Sequence, residues 1–187
     1  DSLGTEFRDD ELAYLAVTSK VELPIRDRWA FRLHRSIGGE FIIAREWKRT
    51  DLAILKDNSP KCLIELKAMY TFDAVLDPDE IGGFAEKMLF DSAKAKCLAS
   101  AETDIYTVLL ATHTDKTFTS ELNGIVKYLS RLNKVFDQFY YGDKIKSIAL
   151  DSVNRILNKR NLIAKGEIKA GSVFNNEVSI LYWVVKN

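Results

Sequence analysis

Two segments of this chain have the length and apolar character of single buried β-strands: residues 61–69, with the continuous apolar core Cys62–Ile64, and residues 106–112. A strand that is apolar on both faces is typical of the centre of a sheet that helices cover on both sides. The segment between them, from Asp77 to about Ala101, opens with acidic residues and is predicted to be a helix. Because strands joined through a helix pair in parallel, the sequence predicts an α/β fold with a parallel crossover.

The neighbouring segments complete the predicted order of elements. The first 37 residues indicate two helical segments, broken at Pro24 and ended by Gly38–Gly39. The turn cluster Asp57–Pro60 predicts that the strands around it form an antiparallel meander. The further predicted elements are strands at 41–47 and 51–55, helices at 120–139 and 143–158, and one or two strands within 178–185.

These elements predict one α/β domain over residues 1–187. Its core, at about 20–115, has the order helix, three strands, helix and strand in a mixed sheet flanked by helices. A helical and strand extension occupies about 116–187.

Composition excludes several classes of protein. Ten Phe, seven Tyr and three Trp provide ample burial, which argues against a disordered chain. The 27 basic residues are balanced by 27 acidic ones, so the chain has no net positive charge through which to bind nucleic acid. No apolar run approaches the roughly 20 residues of a membrane span, and no signal peptide is visible. Cys62 and Cys97 are too few for a disulfide framework; we expect both to be buried free thiols, which favours the cytoplasm.

The residues that suggest a catalytic site are Asp51, Glu65 and Lys67. Residues two apart on a strand point to the same face, so Glu65 and Lys67 project together from an otherwise apolar strand. Burying either charge is unfavourable unless it is paired or bound to an ion. Asp51 opens the preceding strand and converges on Glu65 if the two strands are neighbours. Two carboxylates and a lysine at one sheet edge predict a Mg²⁺ site that takes a substrate phosphate.

Simpler interpretations of these residues exist. Glu65 and Lys67 can form an exposed ion pair while Asp51 caps a turn, an arrangement that contributes little to stability. His34, beside arginines on a helix, is expected to be a surface histidine or one with satisfied hydrogen bonds, and His113 is expected to be non-catalytic although it ends a strand. Neither a nucleophile elbow nor a phosphate-binding loop occurs, and Gly82–Gly83 lacks the lysine spacing of such a loop.

The spacing Asp51-x13-Glu65-x-Lys67, within this order of elements, resembles the PD-(D/E)xK nuclease superfamily with its restriction-endonuclease-like fold. The resemblance covers about residues 20–115, and Thr50 stands where a proline often precedes the aspartate. It implies that Asp51 and Glu65, with the backbone carbonyl of Leu66, bind Mg²⁺, for which Mn²⁺ can substitute. Lys67 would orient or deprotonate the attacking water and offset charge in the transition state.

The resemblance also implies further site residues. An acid from the first helix often completes the metal site; Glu22 is preferred, with Glu11 and Glu40 as alternatives. A polar residue from the helix after the third strand, Lys94 or Lys96, would contact a phosphate.

Charge is unevenly distributed along the chain, which fits a polyanionic substrate. Residues 20–49 contain eight basic and four acidic residues, whereas residues 73–91 contain six acids and Lys87. A second basic stretch lies within 155–169. Basic flanks around an acidic metal centre would hold nucleic acid by its phosphates.

These features predict a Mg²⁺-dependent endonuclease, acting on DNA rather than RNA, in a restriction or genome-defence setting. A homodimer is also expected, because cutting both strands of a duplex usually needs two active sites. The alternative is a catalytically inactive module that keeps the nuclease fold and binds nucleic acid or protein.

Overall fold

The computed structural model describes residues 6–76 and 78–187, including all of their side chains except those of residues 78–81. The strands are Ile42–Trp47 (β1), Thr50–Lys56 (β2), Ser59–Tyr70 (β3), Asp104–Thr114 (β4), Leu162–Val173 (β5) and Asn176–Lys186 (β6). The helices are Glu11–Thr18 (α1), Glu22–Ile37 (α2), Thr71–Leu76 (α3), Pro78–Lys96 (α4), Leu129–Phe139 (α5) and Gly142–Leu157 (α6).

The six strands form one mixed sheet in the order β1-β2-β3-β4-β6-β5. Strands β3 and β4 pair in parallel, which confirms the predicted crossover, and every other neighbouring pair is antiparallel. The chain is therefore an α/β fold with a six-stranded mixed sheet flanked by helices. Strand β6, from the predicted extension, pairs with β4 of the predicted core, so both regions contribute to the same sheet.

The central strands are buried as their apolar sequences predict. In β3 the segment Leu63–Leu66 is buried throughout, and in β4 burial extends from Thr107 to Thr114. Burying both faces of these two strands removes much apolar surface from water and so stabilises the fold. It also means that Glu65 is buried in the middle of the sheet.

Helices cover both faces of the sheet. Lys67, Leu109 and Trp183 lie in one row across β3, β4 and β6 and so project from the same face. Helix α4 reaches this face through an ion pair with Lys67, and α6 reaches it through Asn154, which accepts a 3.0 Å hydrogen bond from the Trp183 indole. On the other face, α1 accepts a hydrogen bond from the Tyr70 hydroxyl.

Three predicted helix boundaries were wrong. Pro24 lies within the first turn of α2, where a missing N–H breaks no helical hydrogen bond, and the interruption falls before Glu22 instead. Helix α5 begins at Leu129 rather than residue 120, because Gly124 and Tyr128 adopt positive φ angles of 80° and 59°. Helix α4 ends at Lys96 rather than near Ala101. The predicted first residue of that helix, Asp77, lies outside the described residues.

None of the helices described within residues 6–76 and 78–187 is long and apolar enough to cross a membrane.

The turn between β2 and β3 offers a direct test of the meander. Asp57 and Asn58 connect the paired residues Lys56 and Ser59, with φ angles of 50° and 60°. These left-handed angles are those of a type I′ turn, which favours Gly at its second position. Asn58→Gly is expected to raise the free energy of unfolding by about 0.5–1 kcal/mol in urea titrations.

The matched control is Asn158→Gly, because Asn158 follows α6 with an ordinary φ of −63°. There glycine only adds freedom to the unfolded chain, so stability should not rise. A gain at Asn158 equal to the gain at Asn58 would contradict the turn assignment.

Candidate active site

Asp51 and Glu65 are brought side by side by the register of β2 and β3. Leu52 pairs with Ile64, so the next opposed positions are Asp51 and Glu65, on the same face of the sheet. Only 6% of Glu65 is exposed. Burial, followed by the charge of Asp51 and a hydrogen bond between the two carboxyl groups, raises the pKa of Glu65 to about 8. The surroundings of Glu65, with Asp51 beside it, therefore disfavour its ionised form.

The same edge of β3 continues past the start of β2. Beyond Glu65 its backbone N–H groups point towards side chains instead of a neighbouring strand. Three alternate N–H groups each donate to a carboxylate: Leu66 to Asp51 (2.8 Å), Ala68 to Glu22, and Tyr70 to Asp73 (2.8 Å). These charge-assisted bonds satisfy the exposed strand edge and fix two of the predicted site acids against β3.

Lys67 projects from the same face as Glu65 and is held by a residue of α4. Its Nζ lies 2.6 Å from Asp91 Oδ2, and Lys94 lies 3.2 Å from the other oxygen of Asp91. Burial works against the charged ammonium, but the hydrogen bond and charge of Asp91, with Glu22 and Asp51 contributing, raise the pKa of Lys67 overall. Lys67 is therefore positively charged at neutral pH and fixed in position.

Asp91 is a site residue that the sequence analysis missed. The resemblance suggested a lysine from this helix, but Lys96 is exposed and Lys94 reaches the site only through Asp91. The available signal was the helical spacing of Met88 and Ala95, both buried, which marks the inward face of α4 next to Asp91.

The three candidate acids from the first helices lie in different places. Glu22 opens α2, bonds to β3 and influences Lys67. Glu11 pairs with Arg28 at 2.6 Å, and Glu40 pairs with Lys56 at 2.7 Å. Of the three, the structure thus brings Glu22 into contact with the strand that carries Glu65 and Lys67.

The carboxylate oxygens of Asp51 and Glu65 suit a hard divalent cation that needs few protein ligands. Within residues 6–76 and 78–187, no group of three or more His, Cys, Asp or Glu side chains is arranged to hold a metal ion. Mg²⁺, however, is commonly bound through one or two carboxylates and keeps several waters. The buried Glu65 beside Asp51 is the observation that fits a cation, because a positive charge there would relieve the repulsion that raises the pKa of Glu65. The role of the Leu66 carbonyl stays a prediction.

The histidines lie away from this cluster. His34 is exposed on α2, as predicted. His113 is 1% exposed, its Nδ1 lies 3.2 Å from the Thr71 hydroxyl, and burial lowers its pKa to about 4. Its Nε2 is 3.3 Å from an Asp115 oxygen but not in hydrogen-bonding geometry. His113 lies six positions along β4 from Thr107, the partner of Glu65, a span of roughly 20 Å.

Both cysteines are free, but only one is mostly buried. Burial raises the pKa of Cys62 to about 12. Cys97 is exposed, so the expectation that it is buried was wrong. Cys97 lies in the turn that follows the end of α4, with its side chain at the surface.

Comparison with known proteins identifies no relative, since no protein-family model, curated protein or solved structure matches this chain. A function has to be argued from the order of the elements and the geometry of the site.

Proposed function

We propose that the chain is a metal-dependent nuclease of the PD-(D/E)xK type, most suited to endonucleolytic cleavage of DNA. The observation that carries the proposal is one cluster: Asp51 and Glu65 opposed on adjacent strands, with Lys67 two residues further on and held by Asp91. The element order supports it, because a helix, three antiparallel strands, a helix and a parallel strand surround this motif as in the restriction-endonuclease-like fold.

The residues of the site have different roles in phosphodiester hydrolysis. Asp51 and Glu65 would hold Mg²⁺, or Mn²⁺ in its place, which when bound stabilises developing negative charge and activates a water. Lys67 supplies a fixed ammonium where charge accumulates on the phosphate. Asp91 keeps Lys67 charged and oriented, and the N–H of Leu66 orients Asp51.

Fewer basic residues are free to contact a nucleic acid substrate than the sequence suggested. Within residues 20–49 several arginines are used internally, since Arg26 and Arg45 share Asp27, and Arg28 pairs with Glu11. Lys20, Arg35, Lys48 and Arg49, by contrast, are exposed and form no ion pair among the described residues. Phosphate contacts are therefore expected from these exposed residues rather than from every basic residue of the segment.

The direct test is cleavage by the wild-type protein. Supercoiled plasmid, linear duplex, single-stranded DNA and RNA are incubated with Mg²⁺ or Mn²⁺, and with EDTA as the control. Metal-dependent cleavage is expected, with DNA preferred. Absence of cleavage of all four substrates, by protein shown to be folded, would contradict the proposal. A homodimer and a cytoplasmic, reducing environment for the two free thiols remain part of this proposal.

A second candidate is an inactive module that retains the fold and binds nucleic acid or protein. It is favoured by the hydrogen bonds through which Asp51 and Glu22 satisfy the N–H groups of β3, because that role needs no metal. Binding of nucleic acid without metal-dependent cleavage would support this second function.

Asp91 provides a prediction specific to the nuclease. Asp91→Asn is expected to reduce cleavage roughly tenfold to a hundredfold, because Lys67 loses the anion that orients it. It also removes a contribution that raises the pKa of Lys67, so activity should begin to fall at a lower pH than in the wild type. The measurement is the cleavage rate between pH 6 and 10, in wild type, Asp91→Asn and the control Glu86→Gln, an exposed acid on the same helix. An unchanged rate and profile in Asp91→Asn would rule out the positioning role.

A further inference from the structure

A cleft of about 730 Å³ lies between the end of α1 and the start of α2. Its lining includes Glu22, which bonds to β3, and Lys20 and Lys127 from two separate segments. A second cleft of about 540 Å³, formed by residues 123–130 and Thr18, shares Lys127 with the first. The two clefts together lead from Glu22 to Tyr128.

The cations of this surface are available to a ligand. In the described part of the chain, neither Lys20 nor Lys127 forms an ion pair, whereas Arg28 at the same cleft pairs with Glu11. The backbone of Lys127 is fixed, because its N–H donates a 2.7 Å hydrogen bond to the carbonyl of Val17. Two lysines that form no ion pair, beside a mainly apolar cleft, fit an anionic ligand that also presents apolar surface.

Tyr128 presents an aromatic ring next to Lys127. The residue is 42% exposed, and the ring lies edge to face with Tyr70 at 5.5 Å and with Phe72 at 6.1 Å. Its backbone is left-handed, with φ 59° and ψ 31°, which is unfavourable for a bulky residue. Lys127 Nζ lies 5.4 Å from the ring centroid. The fold thus holds an exposed ring in a fixed orientation beside a cation.

We propose that Lys20, Lys127 and Tyr128 form a binding groove for unpaired DNA, in which the lysines contact phosphates and Tyr128 stacks on a base. The proposal rests on the proposed function, because Glu22 connects the groove to the cluster of Asp51, Glu65 and Lys67. Aromatic stacking combined with a positively charged groove is the arrangement by which proteins bind single strands without sequence preference. Bases of an intact duplex are already stacked on each other, so the groove selects an unpaired strand.

Binding is tested without cleavage, in EDTA, by fluorescence anisotropy with a labelled 12-nucleotide oligothymidylate and a duplex of the same length. Tyr128→Leu is expected to weaken single-strand binding roughly fivefold to a hundredfold, the range for loss of one stacked base, while Tyr128→Phe binds like the wild type. Lys20→Glu and Lys127→Glu should each weaken binding and reduce its salt dependence. Lys144→Glu, at an exposed lysine of α6 outside both clefts, is the charge-matched control.

The outcomes distinguish a failure of the groove proposal from a failure of the nuclease proposal. Thermal unfolding of each variant shows whether it is folded, and Tyr128→Phe keeps the ring contacts if Tyr128→Leu is unstable. Equal binding by folded Tyr128→Leu and wild type, an equal effect of Lys144→Glu, tighter binding of duplex, or preference for a 12-nucleotide RNA would each overturn the groove. Failure of cleavage with Mg²⁺ while these binding effects persist would overturn the nuclease and leave the groove in place.

Discussion

Lys67→Ala is expected to reduce metal-dependent DNA cleavage roughly a hundredfold to a thousandfold. The ammonium is fixed 2.6 Å from Asp91 and projects from the same face as Glu65, so its loss removes a preorganised positive charge from the reacting phosphate. Glu65→Gln is expected to reduce cleavage by about a thousandfold or more, because the amide cannot replace a carboxylate as a metal ligand. Initial rates of plasmid nicking at saturating Mg²⁺ measure both effects.

The matched control for Lys67 is on the same strand. Lys61 also lies on β3 but forms a surface ion pair with Glu102 at 2.9 Å. Lys61→Ala should therefore cleave at the wild-type rate. Nicking that survives both Lys67→Ala and Glu65→Gln, or that is lost equally in Lys61→Ala, would show that the activity does not come from this cluster.

Glu65→Gln should also make the metal-free protein more stable at alkaline pH. The pKa of Glu65 is raised from 4.5 to about 8 by burial and by Asp51, so between these values the folded state binds more protons than the unfolded chain. The free energy of unfolding of the wild type therefore falls as the pH rises through this window. Gln keeps the shape and carries no charge, so at pH 8–9 in EDTA the variant should be more stable by about 2–4 kcal/mol.

Urea titrations at pH 5 and pH 9 measure this effect. At pH 5 the two proteins should differ little, because Glu65 is then mostly protonated in the folded state. Glu102→Gln, at an exposed acid of the same ion pair as Lys61, should leave the pH dependence unchanged. A Glu65→Gln variant that is no more stable than the wild type at pH 9 would mean that the surroundings of Glu65 do not disfavour its ionised form.

The sequence predicted the centre of the fold because the pattern there is local. The apolar runs of β3 and β4 identify buried strands, and the helix between them requires a parallel pairing. The period of two residues along a strand is enough to predict that Glu65 and Lys67 share a face. The sequence also predicted that Asp51 converges on Glu65 if the two strands are neighbours, but it did not predict the register. A regular hairpin around Asp57 and Asn58 would oppose Asp51 to Ile64, and the bulge between Ile54 and Leu55 shifts the pairing by one residue, which brings Asp51 opposite Glu65.

What the sequence did not predict depends on packing between distant segments. Asp91 meets Lys67 only through the position of α4 on the sheet, and no local pattern specifies that position. Tyr128 starts α5 with a left-handed backbone that residue propensity would not suggest. Pro24 was interpreted as a break because a proline in a first turn and a proline after a helix look alike in sequence.

The most direct test of the proposed site is the anomalous diffraction of crystals soaked in Mn²⁺. An anomalous peak within about 2.0–2.5 Å of carboxylate oxygens of both Asp51 and Glu65 is expected, and the same soak of Glu65→Gln crystals should lack it. No peak between these two side chains at saturating Mn²⁺, or a peak that persists unchanged in Glu65→Gln, would contradict a metal centre at this cluster.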